Sequence, residues 1–202
     1  MSVIGVDPGG SGALAHYDIT NNTLDVEDIP TWNMAVGQKV RKRIDGVGLL
    51  EYFEMKKMMG VQLVMIEAVG GRPKQSASSG YVFGFGVGLI YMACIATRLP
   101  IETVPPQTWK KMMRVPGKGK RAAAKEGRTL KQTEGMIVQR ADELFPSYSS
   151  LWRGPRGGYR LDRAEAAILA RYAGDYALRS TNAIRIQDAE WQMVYRGADT
   201  GA

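Results

Sequence analysis

Four acidic side chains stand at points where the sequence turns: Asp7 in VIGVDPGGSGALA, Glu67 closing VQLVMIE, and Asp162 and Glu165 in LDRAEAAILARY. Apolar Val3, Ile4 and Val6 lead into Asp7, and Pro8, Gly9, Gly10 and Gly12 then force a tight reversal, so Asp7 lies at a strand's mouth where backbone can approach a bulky ligand. A carboxylate there is either a metal ligand or a turn-capping residue. Glu67 follows the same logic after a nearly continuous apolar run. Asp162 and Glu165, three apart, share one face of a helix's first turn, where acids also complement the helix dipole. Converging on one point, the four would repel one another unless cations neutralised them. Hard oxygen donors suit magnesium or manganese, and a chain with one histidine and one cysteine has no zinc set. Two such ions about 4 Å apart activate water and stabilise a leaving oxygen, which is phosphodiester hydrolysis.

The elements that must position these acids follow from periodicity. Val3–Val6, Gly12–Asp18 and Leu24–Ile29 read as an antiparallel meander turning at Asn21 and Asn22. Ile44–Met59 reads as an amphipathic helix stopped by Gly60, Val61–Ile66 as a strand covered on both faces, and the segment from Tyr81 as a long glycine-containing helix. Ile101–Val104 is a strand, Gln107–Met113 a short helix, Lys131–Leu144 and Leu161–Leu178 longer ones. The tail after Asn182 is amphipathic in places. The expected architecture is α/β: a central mixed five-stranded sheet, its first three strands antiparallel and the others parallel, with helices on both faces. Residues 1–180 form one domain and 181–202 a C-terminal tail.

Composition narrows the partners. The chain of 202 residues has a net charge of +7. Between Lys110 and Arg128 eight bases, including Lys118, Lys120 and Arg121, face one acid, Glu126; interleaved glycines make this read as a mobile loop suited to a polyanion. No apolar run is read as nearing the roughly 20 residues of a membrane span, and the N-terminus lacks a secretory pattern, so a cytoplasmic protein without a membrane partner is expected. Cys94 reads as a small core residue and His16 as a packed or surface residue, not a ligand.

The order of Asp7, Glu67 and a DxxE pair opening the last long helix resembles the RNase H-like nucleases, and within them the RuvC-type Holliday junction resolvases, particularly short bacteriophage versions. GVDPG, IEAV, PKQSASSGYVFGFGVG, VPPQTWKK, ADELFP and DRAEAAILARY carry the resemblance over residues 2 to 178. It implies catalytic, metal-binding Asp7, Glu67, Asp162 and Glu165. Glu165 stands where many members have Asp. It also implies assisting lysines at Lys110 and Lys131, and a DNA-contacting segment comprising Arg72, Lys74, Gln75, Ser79, Tyr81, Phe83 and Phe85, whose aromatic rings could stack on an unpaired base.

The implied activity is symmetric cleavage of four-way DNA junctions by a homodimer holding two magnesium or manganese ions per site, with no small-molecule cofactor, in a bacterial or infected host cell. A two-fold dimer presents two sites to a two-fold junction. The glycine-rich helix after Tyr81 is the candidate interface. Rival readings are a broader nuclease for flaps, forks or RNA/DNA hybrids, a non-catalytic DNA-binding module, and an actin-like ATP-binding protein suggested by DPGGSGA.

Overall fold

In the computed structural model, residues 1–37, 39–70, 76–117 and 120–198 are described, with the backbone alone described for 36, 39, 120–122 and 180–198. Five strands form the main sheet: β1 (Ser2–Asp7), β2 (Ala13–Asp18), β3 (Thr23–Asp28), β6 (Val61–Glu67) and β7 (Ile101–Val104), in the order β3-β2-β1-β6-β7. The first three are antiparallel; β6 joins β1, and β7 joins β6, in parallel. The mixed sheet expected from the apolar pattern is thus present.

Strand alternation divides the core in two. Val3, Ala13, Ala15, Leu63 and Met65 face α6 (Leu161–Ala198) and α5 (Leu130–Leu144), whereas Ile4, Val6, Leu14, Val64 and Ile66 face α1 (Gly46–Met58) and α2 (Ala77–Ala96). Local signals start these helices. The Asp45 carboxylate accepts from the Val47 amide, the Ser76 hydroxyl from Ser79, and Thr129 and Gln132 form a reciprocal capping box. Cys94 is buried, and burial pushes its thiol pKa up to about 12, which suits a core residue. His16 is buried in β2 opposite Ile4; burial first, and the Lys56 ammonium second, hold its pKa below the ordinary value.

Four features depart from the sequence reading; one is that α6, expected to end at Leu178, runs on to Ala198. Between β3 and α1 the chain forms a separate hairpin, β4 (Thr31–Val36) and β5 (Lys39–Ile44), where no element was expected. Its strands are mostly exposed, so no core imposes an apolar alternation on them. The basic stretch is not simply a mobile loop. After α3 (Pro106–Met112), Met113 and Val115 are buried, and α4 (Lys120–Lys125) forms on an alanine run with Ala123 buried. Finally, α2 is long and apolar enough by length and composition to cross a membrane, contrary to the expectation that no run nears that length. Gly86, Ile90, Ala93 and Cys94 nonetheless pack it into the core beside α1.

Candidate active site

Strand register sets the floor of the site. Asp7 ends β1 opposite Ala13, which in turn pairs with Asp28 at the end of β3. Because β1 and β6 run parallel with Val6 beside Ile66, Glu67 ends its strand at the same edge as Asp7. The turn after Asp7 closes with the Gly12 amide donating to the Gly9 carbonyl at 3.1 Å. A Cβ at Gly12 would lie 2.0 Å from the Asp7 carbonyl oxygen, so only glycine lets the chain fold back this tightly.

Helix α6 delivers the other acids. Ala166, Ala167, Ala170 and Ala173 are fully buried, and their small side chains bring the helix down onto the sheet. The contact is closest at Gly5, where a Cβ would stand 2.3 Å from the Ala170 nitrogen and 2.6 Å from the Ala166 oxygen. Arg163 donates from Nε to Asp28 at 2.5 Å and ties the first turn of α6 to the end of β3. This bond, more than any other influence, holds the Asp28 carboxyl below the usual carboxylate range.

The result is a convergence of Asp7, Asp162 and Glu165, each offering a carboxylate oxygen within 4.8 Å of the others. Asp7 and Asp162 are half-buried, and Glu165 is buried. Three hard oxygen donors at this separation fit a divalent cation such as magnesium or manganese.

Glu67 is outside that trio. Its Oε2 accepts from the Trp109 indole at 2.9 Å. The next residue, Lys110, donates from Nζ to Glu165 Oε1 at 2.6 Å, with both side chains buried. Successive residues of α3 therefore steer two of the four acids. The sequence reading singled out Lys110 but missed Trp109. The available signal was chemical: an indole is a donor only, so a buried Trp beside a strand end needs an acceptor.

The other candidates spread more widely. Lys131 is exposed in the first turn of α5, and no described contact joins it to the acids. Ser79 lies in the first turn of α2. Tyr81 and Phe85 are exposed and stacked with centroids 6.2 Å apart, while half-buried Phe83 approaches Gly9. Lys120 and Arg121 belong to α4, with only their backbone described. Arg72, Lys74, Gln75 and Lys118 lie outside the described residues.

Two clefts open at this edge. One, of about 470 Å³, runs from the Gly10–Gly12 turn past Asp162 to Lys42 and Arg160. The other, of about 210 Å³, lies between Gly9, Arg41–Arg43 and the Ser79–Phe85 part of α2.

No protein-family profile matches the sequence, and no curated protein matches it. Solved structures do. Thermus thermophilus RuvC bound to a Holliday junction substrate aligns over 90% of this chain and 98% of its own, with a TM-score of 0.51 and 12% identity. The fowlpox virus Holliday junction resolvase aligns over 87% and 99%, at a TM-score of 0.44 and 15% identity. The alignment with the junction-bound RuvC, together with the strand order of the main sheet, gives the chain an RNase H-like fold.

Proposed function

We infer that this protein is a metal-dependent endonuclease that resolves four-way DNA junctions by paired, symmetric nicks. The observation that carries the reading is the meeting of Asp7, Asp162 and Glu165 across more than 150 residues of sequence, in a fold shared with a junction-bound RuvC. Asp7, Asp162 and Glu165 would hold one magnesium or manganese ion, and Glu67 with Asp7 would complete a second position. Bound there, the cations would supply an activated water and charge neutralisation at the leaving 3' oxygen.

The chain's own residues prepare that chemistry. Lys110 neutralises and fixes Glu165, whose reach is longer than that of the aspartate common in the family. Trp109 holds Glu67 in one orientation. Tyr81 and Phe85 offer stacked, exposed rings to an unpaired base at the branch point. Lys131 and the bases of α4 add charge for phosphates farther along the arms. The protein is further inferred to be of bacteriophage type, working in the bacterial or infected-cell cytoplasm with residues 1–180 as the nuclease domain.

One site makes one nick, so paired cutting requires a second copy. The exposed face of α2 bearing Gly88, Met92 and Ile95 is the surface assigned to that copy. An apolar helical stripe lacking charge is poorly suited to water and well suited to self-packing.

The test is a synthetic four-way junction incubated with magnesium or manganese, with cut positions mapped on all strands. Paired nicks at symmetry-related positions, leaving 5' phosphate and 3' hydroxyl ends, are expected. Equal cutting of flaps would replace the resolvase reading with a debranching nuclease, and binding without any cutting would leave a DNA-binding module.

A further inference from the structure

The β4–β5 hairpin carries Lys39, Arg41, Lys42 and Arg43 and no acidic residue. Its base is fixed against the candidate active site. The Ile29 amide, just before β4, donates to the Gly12 carbonyl at 2.9 Å, and the Asp45 amide, just after β5, donates to the Pro30 carbonyl at 2.9 Å. Ile44 is buried against α2, where a Cβ at Gly86 would meet its Cδ1 at 2.7 Å. Beyond this anchored base the hairpin projects: Val40 is 69% exposed and Arg41 and Lys42 are exposed.

Placement gives the hairpin its meaning. Lys42 and Gly10 line both clefts, the one containing Asp162 and the one walled by Arg41, Arg43, Phe83 and Phe85. A strand leaving the carboxylates across Gly10 would pass Lys42 and enter a groove with Arg41 and Arg43 of the hairpin on one wall and Phe83 and Phe85 of α2 on the other. A cationic wall facing an aromatic one suits a single polynucleotide strand, which presents phosphates along one side and bases along the other.

Resting on the nuclease reading above, we propose that the β4–β5 hairpin is a phosphate clamp for the strand being cut, with Lys42 and Arg41 gripping the backbone beside the scissile phosphate. The clamp acts through charge. Its side chains are exposed, so neutralising them leaves the core untouched, and the bonds at the hairpin's base involve backbone groups.

The experiment measures junction affinity in metal-free buffer, at salt concentrations from about 50 to 300 mM, for the full chain and for an Arg41→Gln/Lys42→Gln variant. Removing two phosphate contacts should weaken binding about tenfold near physiological salt. It should also make the log–log salt slope shallower by about 1.4 to 1.8, at roughly 0.7 to 0.9 per contact. An Arg41→Lys/Lys42→Arg variant, which keeps both charges, should retain the parental slope. A single neutral methylphosphonate beside the cut position should weaken the parent but not the Gln variant.

An unchanged slope in the Gln variant overturns the clamp while leaving the nuclease reading intact. Equal losses in the Gln and charge-preserving variants also overturn it, since the hairpin would then act by shape. A parent chain that neither binds nor cuts branched DNA overturns the nuclease reading itself.

Discussion

The seam between β1 and α6 and the β4–β5 hairpin flank the same cluster of acids but are built on opposite plans. At the seam, backbone approaches backbone: Gly5 leaves no room for a methyl group beneath Ala166 and Ala170, and Glu165 is buried with Lys110. The hairpin is held at its base, and the long cationic side chains of Arg41 and Lys42 are exposed. The contrast follows from what each must do. Carboxylates that share a cation must be kept at fixed separations, which rigid packing provides. A polyanion is attracted by charge density over several ångströms, and flexible side chains suffice.

That contrast can be broken from either side, and the largest effect should come from the seam. Asp7→Asn should reduce junction cleavage by roughly 10³-fold while leaving junction affinity near the parental value. A variant that still cuts would remove Asp7 from the chemistry. Next is Lys110→Met, which leaves Glu165 buried without its ammonium and should cost about 3 kcal/mol in urea unfolding without metal. Added magnesium should recover part of that loss, because a cation among the acids replaces the missing charge. A loss insensitive to magnesium would argue against a metal at Glu165.

Gly5→Ala should come third. Its new methyl group meets backbone rather than a yielding side chain, and overpacking of this kind should lower stability by about 2 kcal/mol and cleavage with it. Wild-type cleavage with an unshifted urea midpoint would show that the seam is not the constraint. Neutralising Arg41 and Lys42 should follow, with the salt-slope signature described above and an unchanged melting temperature.

The smallest effect belongs to Asp28. Its side chain is 62% exposed, so Asp28→Asn should cost under about 1 kcal/mol despite the bond from Arg163. Because the folded carboxyl is held below its unfolded value, near 3.9, the contribution is complete above about pH 5 and is lost as pH falls through the lower folded value. Urea titrations of parent and variant should therefore converge toward acid. Convergence toward alkaline pH would contradict the pairing.

Much of the scaffold was legible because its signals are local. The apolar runs before Asp7 and Glu67 became adjacent parallel strands, and LDRAEAAILARY became the start of α6 with its small residues against the sheet. The hairpin was not legible, since strands lying mostly in solvent need no apolar alternation, although Gly37 between two extended runs was an available turn signal. Helix α4 was hidden by the charges around AAA in a stretch that otherwise looked like a loop.

Sequence alone determined which chemical groups the chain could bring to a site: oxygen donors in place of thiols and imidazoles, placed by turns and helix starts that depend on neighbouring residues. Only the tertiary structure decided their partners. Asp7, Asp162 and Glu165 draw together, Trp109 holds Glu67, and Lys110 is buried against Glu165. Those choices depend on how closely a helix can settle on a strand more than 150 residues away in sequence, and that distance is set by packing at Gly5 and the alanines above it.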